Sequence, residues 1–460
     1  MTRVWILVLL TLLFACARSV VPDAVVVGPP TLRYDVTIFD NFGGAETRVC
    51  AEGFTPRQWV PMYGSASRGL LRAWTDAGEL NVSGGRIAVP ADSDAECLSY
   101  RTRFAGEMFQ STDESAIIVS QSQWLWRPLP FPEDAKAQLV LRLPDGARAS
   151  VPFEPGGEGH QLERDAFFRD GYTVFGVFEE ERFQVGDTDV TVALLGPSPS
   201  GDVVRRWLTT AIGAAASVGS EFPSPRVHFV IAPLEGTDRP VAFGMVRRGG
   251  GPSVLLLPSP TAAVEDLEID WVAIHELSHI WLPRLKRDGR WLTEGIATYL
   301  QEVLRARCGL QSAEESWRRI RAGLARGERS GTGRTLARES REMSRTGAYH
   351  RVYWSGTAFA VEADMKLREA SDQQTSLPRV IELARPQVLE MQGPVSAAEL
   401  LAVFDDVAGT DFLVDLGAEY ASRSAFPEIP MVDDDEMAGM RADIMAVDVA
   451  RCGATGEASR

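Results

Sequence analysis

From Leu32 the chain alternates apolar and polar positions, as in Tyr34-Asp35-Val36-Thr37-Ile38 and again in Leu98–Phe104 behind Cys97. That period of two predicts half-buried strands. Further short apolar runs lie at Ile117–Val119, Leu139–Leu143 and Val174–Phe178. Between them stand the turn clusters Asn41-Phe42-Gly43-Gly44, Ser83-Gly84-Gly85, Pro144-Asp145-Gly146 and Pro155-Gly156-Gly157. Many short strands with regular turns predict a β-sandwich over residues 31–198, with Gln184–Leu195 as its last hairpin. The pattern then changes. Val203–Val218 has helical spacing, with Asp202 as an N-cap. Arg226–Ile231 and Val254–Leu257 read as strands on either side of the glycine-rich Ala242–Gly251. Helical patterns dominate afterwards: a run beginning near Trp291, Arg- and Glu-rich helices and loops over 312–342, and Thr357–Ala370. In the tail, Ser396-Ala397-Ala398-Glu399 is a capping-box signature ahead of Leu400–Val407. Gly409 would stop that helix, and Phe412–Tyr420 would form the next.

The densest chemistry lies in Asp270–Tyr299. Ile269, Trp271, Val272, Ala273, Ile274, Leu277, Ile280, Trp281 and Leu282 would cover most of a helix, which is the mark of a buried one. At about 100° per residue, His275, Glu276, Ser278 and His279 share its one polar stripe. Imidazoles four residues apart lie one turn above each other and can share a zinc ion, with the intervening Glu276 aimed at the water on that ion. Buried ionisable groups are costly unless paired or bound to metal. Glu294 opens a second amphipathic run, Trp291–Arg305, after the turn signals Pro283 and Asp288-Gly289. Two antiparallel helices would bring it to the same ion. Two histidines and one glutamate leave a fourth position open, as in a catalytic zinc site. His160, in a glycine-rich loop, reads as a solvated residue, and His228, between apolar neighbours, as a structural one.

His275-Glu276-Leu277-Ser278-His279 followed by Trp291-Leu292-Thr293-Glu294-Gly295-Ile296-Ala297-Thr298-Tyr299 resembles the gluzincin metallopeptidases. The likeness is greatest to the glycyl aminopeptidase family and more distant to aminopeptidase N and leukotriene A4 hydrolase. Here fourteen residues separate His279 from Glu294, a shorter connection than in those families. The resemblance implies an N-terminal β domain and a thermolysin-like zinc peptidase domain. It also implies an edge strand near Ala242–Gly251 that holds a peptide extended across the zinc. Gly244, Met245 and Arg247 are then the substrate-binding candidates. Val246 and Arg247 stand where aminopeptidases carry a glutamate for the substrate's amine, which counts against exopeptidase specificity, and Arg247 with Arg248 read either as favouring acidic substrates or as solvated loop residues. Tyr353, in Tyr353-Trp354-Ser355-Gly356 ahead of a helix, matches the segment that supplies a transition-state tyrosine, with His350 a weaker candidate for the same cleft.

Composition adds the compartment. Arg3 precedes the apolar run Val4–Phe14, a targeting segment too short to span a membrane. Leu13-Phe14-Ala15-Cys16 resembles a lipoprotein signal with Cys16 lipidated, and Ala15-Cys16-Ala17 also fits ordinary signal peptidase. Either route exports the protein, to the bacterial envelope, periplasm or outer membrane, or into the medium. Membrane contact would be only through the lipid. Cys50, Cys97, Cys308 and Cys452 remain, an even number suited to an oxidising compartment. Three pairings are open. The expected one is Cys50–Cys97 with Cys308–Cys452, against the alternative that some are free thiols. A net charge of −16 argues against a nucleic-acid partner. Asp433-Asp434-Asp435-Glu436 lacks the spacing of a calcium loop and reads as a solvated turn.

The expectation is therefore an α+β multidomain protein. Its parts are a signal at 1–16, a linker at 17–30, a β-sandwich at 31–198, a catalytic domain at 199–385 and a helical region at 386–460. It would be an exported zinc metallopeptidase acting on peptides or proteins, with His275, His279 and Glu294 as ligands, Glu276 as general base and Tyr353 as oxyanion donor. Two other classes fit the same constellation: an envelope protein keeping the zinc scaffold without catalysis, and a zinc hydrolase of a non-peptide bond.

Overall fold

The computed structural model describes residues 29–90, 95–104, 115–391, 393–429 and 435–452. Cys16 and the targeting segment lie outside them, as do Asp433 and Asp434 of the acidic run. Mixed sheets and many helices make up a multidomain chain. Among the described residues no helix is long and apolar enough to cross a membrane.

The first region is built on an eight-stranded sheet whose centre is Thr31–Ile38. That strand pairs parallel with Lys136–Arg142 and antiparallel with Gly44–Glu52. Its alternation has the expected result: Leu32, Tyr34, Val36 and Ile38 point into the core and the residues between them do not. Sheets of four and three strands supply Trp59, Ile87, Val119 and Phe175 to the same core. Cys50–Cys97 joins two neighbouring strands of the large sheet, and Cys308–Cys452 ties the tail to the helical half, the expected pairing in both cases. His160 is not fully solvated. It is half-buried in the strand Gly159–Leu162, against the ring of Phe153, because the glycine-rich segment folds back as a hairpin onto the large sheet.

The hairpin expected to close this region belongs elsewhere. Glu179–Val185 and Thr188–Leu194 start a five-stranded sheet that continues through Arg226–Ile231 and Ser253–Pro258 to the antiparallel edge strand Val241–Arg247. Its central strands are apolar on both faces, because both are covered. Val192, Phe229 and Leu256 meet the helix Gly201–Ala216 and the histidine helix, while Val230, Leu255 and Leu257 meet Ile118, Tyr172 and Val174 of the three-stranded sheet. A strand candidate's period does not reveal which sheet it joins. The helix Gly201–Ala216 is capped by Ser200, not Asp202. The Arg- and Glu-rich segment forms Ala313–Glu328 and Leu336–Thr346, with Trp317, Ile320, Leu336 and Met343 turned inward. Ser396 and Glu399 make the capping box, and Gly409 ends that helix at a φ of 68°.

His228 lies buried where the five-stranded sheet meets the three-stranded one. Its ring nitrogens contact Ser150 Oγ at 2.9 Å and Ser253 Oγ at 3.0 Å. Burial pushes its pKa down to about 3, so it folds as the neutral imidazole. The unfolded chain takes up that proton near the ordinary value of 6.5, and the folded chain does not. Stability is therefore lost as pH falls through 6.5, by roughly 2 kcal/mol on reaching about pH 5. Urea unfolding of the wild type and of His228→Gln across this range should give a smaller acid-side slope for the variant. Identical slopes would contradict the assignment.

Candidate metal and catalytic site

The histidine helix runs Val272–Ser278 and continues as a tight turn, His279–Trp281. The connection to the next helix, Arg290–Arg307, is short, and the two helices pack against each other. This places Glu294 against both imidazoles. Its Oε2 lies 3.6 Å from His275 Nε2 and 3.3 Å from His279 Nε2. One ligand atom from each of the three residues lies within 4.8 Å of the others. Donors ~2.0–2.1 Å from a tetrahedral zinc stand roughly 3.3–3.4 Å apart, so the cluster fits one ion.

The tautomer fits as well. Gln301 Nε2 donates to Glu302 Oε1 at 3.0 Å, which turns Gln301 Oε1 towards His275 Nδ1 at 2.9 Å. An oxygen can only accept, so Nδ1 carries the proton and Nε2 keeps its lone pair facing Glu294. Burial opposes ionisation of Glu294, but once the imidazoles are protonated the charge of His279 and the N–H groups that both rings then present outweigh it. The carboxyl sits well below the usual range.

Glu276 is held on the other side. Its Oε2 accepts from Val246 N at 2.8 Å. Burial first, and the nearby Glu294 charge, push its pKa above the usual glutamate value, against the pull of the imidazoles and of Val246. The edge strand comes this close because residue 244 is glycine. A Cβ there would stand 2.5 Å from Val272 and 2.9 Å from Glu276. Gly244 thus sets the approach of the strand, and Met245 points outward, 40% exposed.

The two arginines face in different directions. Arg247 pairs with the buried Asp170 and lies 4.4 Å over the ring of Tyr172. Arg248 donates to the carbonyls of His279 and, at 2.5 Å, Leu282, and so grips the end of the histidine helix.

Tyr353 does not precede its helix. It lies in the second turn of Tyr349–Ala370, because the aromatic cluster packs as helix. This helix crosses Arg290–Arg307 at a glycine contact. A Cβ on Gly356 would stand 1.9 Å from Trp291 O, and one on Gly295 would stand 2.0 Å from Gly356 C. The close crossing carries Tyr353, one turn before Gly356, to Glu294, next to Gly295. The ring stacks parallel to His275 with centroids 6.0 Å apart. Burial, then the charges of Glu294 and Glu276, push the phenol far above its ordinary range, so it remains a donor. His350 sits on the exposed side of the same helix. Sequence reasoning missed Gln301, the hold of Arg248 on the carbonyls of the histidine helix and the Gly295–Gly356 contact. Gln301 could have been found, since it lies seven residues after Glu294, two turns along the same face.

No family model matches the sequence, and no curated protein matches it. Solved structures do. An aminopeptidase N family protein from Idiomarina loihiensis superposes with a TM-score of 0.66 at 16% identity, over 86% of this chain and 77% of that one. The M1 zinc metallopeptidase from Deinococcus radiodurans gives 0.54 at 14%, over 87% and 94%. Yeast LTA4 hydrolase in complex with bestatin gives 0.52 at 10%, over 87% and 68%. This chain shares their fold.

Gln301→Ala should weaken zinc binding roughly 10–100-fold in a chelator competition while leaving the fold intact. Gly356→Ala forces apart backbones already in contact and should cost about 1–3 kcal/mol of unfolding free energy. Unchanged affinity in the first variant, or unchanged stability in the second, would contradict these roles.

Proposed function

We propose that the chain is a zinc-dependent metallopeptidase, with His275, His279 and Glu294 holding the ion. The observation that carries this reading is the convergence of three donors at single-ion spacing with a proton-accepting Glu276 and a proton-donating Tyr353. When bound, zinc supplies Lewis acidity to the scissile carbonyl and to water.

The protein's own groups do the rest. Among the described residues the edge strand Val241–Arg247 pairs on its inner side alone, with Ser253–Pro258, so its outer edge can take an extended peptide as an added strand. Glu276 is a carboxylate whose raised pKa suits it to accept a proton from the attacking water and return it to the leaving amine. Val246 N–H keeps that side chain in place. Tyr353 donates to the oxygen on which negative charge develops. Gln301 fixes the orientation of His275, and Arg248 that of the turn carrying His279. The segment ahead of residue 17 and the two disulfides support export, with Cys16 as the candidate lipid-bearing residue. The fold shared with the aminopeptidase N family protein from Idiomarina loihiensis and the M1 zinc metallopeptidase from Deinococcus radiodurans supports a peptide substrate.

Glu276→Gln should retain zinc and lower kcat roughly 10²–10⁴-fold, and Tyr353→Phe should lower kcat about 10²–10³-fold with little change in KM. The assay is a peptide library with free and N-acetylated members, run with and without a zinc chelator. Normal turnover by Glu276→Gln, or cleavage that the chelator leaves untouched, would overturn the proposal.

A further inference from the structure

Beside the turn His279–Trp281, and lined by none of the candidate catalytic groups, lies a cleft of about 310 Å³ between the first region and the helical half. Its charged lining is four arginines, Arg169, Arg226, Arg248 and Arg385, against two acids, Glu163 and Asp165. In a chain with a net charge of −16 this is a local reversal of sign. Two of the arginines have carboxylate partners. Arg169 pairs with Asp165 at 3.4 Å, and Arg226 with Glu154 at 3.2 Å and Glu163 at 3.9 Å.

Arg248 and Arg385 are held by carbonyls. Arg248 donates to His279 O and Leu282 O, and Arg385 to Ile280 O at 3.2 Å and Pro223 O at 2.6 Å. Each guanidinium has five N–H donors, so both keep donors beyond those the carbonyls take. Burial, then the neighbouring Arg169, Arg385 and Arg284, push Arg248 down to about 9, with Asp165 acting the other way. Burial lowers Arg385 too. Carbonyl dipoles hold these cations in place but do not neutralise them, and like charges gathered in a cleft favour an anion. Apart from Ser224, the remaining side chains of the wall are apolar. Ile280, Leu282 and Val388 form its base, and Leu389, 64% exposed, stands at its rim.

We propose that this cleft binds a small amphiphilic oxyanion, with its phosphate or carboxylate head on Arg248 and Arg385 and a short apolar chain along Ile280, Leu282 and Leu389. A head group there would bridge two side chains that both grip the end of the histidine helix, yet it would touch none of the candidate zinc ligands' side chains. The proposal does not rest on the peptidase reading.

The test is isothermal titration of the full chain with hexyl phosphate, hexanoate and inorganic phosphate. Saturable one-to-one binding of hexyl phosphate or hexanoate is expected, and comparison of the two identifies the head group. Arg385→Met should weaken it roughly tenfold or more, the loss of a charge-assisted hydrogen bond. Leu389→Ser, a change at an exposed position that should leave the fold intact, should weaken hexyl phosphate or hexanoate and leave inorganic phosphate unchanged. Anion binding at zinc would survive both substitutions. No binding of hexyl phosphate or hexanoate at millimolar concentration, or wild-type affinity for them in both variants, would overturn the proposal.

Discussion

Two helices touch backbone to backbone at Gly295 and Gly356, and the candidate site depends on that contact. With a side chain at either position the helices would have to separate, since a Cβ would stand about 2 Å from main-chain atoms of the other helix. Glu294 lies one residue before the first glycine, and Tyr353 one turn before the second. Their meeting at His275 is therefore set by the rigid crossing of two long elements and not by a loop. Sites built on helices hold their geometry better than sites built on loops.

Support comes from every side of the cluster. Gln301, two turns along from Glu294, fixes the tautomer of His275. Arg248 takes the carbonyl of His279. Gly244 lets the edge strand approach until Val246 N–H reaches Glu276. The same segment is anchored to the first region through Arg247 and Asp170 and through the N–H groups of Arg248 and Gly249 on Asp170 O, at 3.1 and 2.8 Å. The β region thus acts as a buttress for the strand beside Glu276. That gives a physical reason for a layered β region in which the described residues hold no metal-ligand cluster.

Local patterns made much of this legible. The polar stripe of His275, Glu276 and His279 on an otherwise apolar helix pointed to a buried site. The spacing to Glu294 across a short turn pointed to its third member. The capping box at Ser396 was legible for the same reason, since it rests on local chemistry, whereas the even cysteine count pointed to two bridges without deciding among three pairings. Non-local facts were not legible. Glu179–Val185 and Thr188–Leu194 have the same period whether they close the first region or open the five-stranded sheet, and only their neighbour Arg226–Ile231 decides. The start of the Tyr349 helix was hidden because aromatic residues and a glycine suggest a loop, and packing against Arg290–Arg307 overrides that preference. Arg248 looked like a substrate contact because its partners are carbonyls, which leave no trace in the sequence.

The central claim is one ion shared by His275, His279 and Glu294. Zinc K-edge X-ray absorption on the purified chain, with metal analysis, tests it most directly. The account predicts about one zinc per chain, an all nitrogen–oxygen shell near ~2.0–2.1 Å and an imidazole signature from two histidines. Zinc well below one per chain after exposure to excess metal, or a sulfur shell near ~2.3 Å, would contradict it.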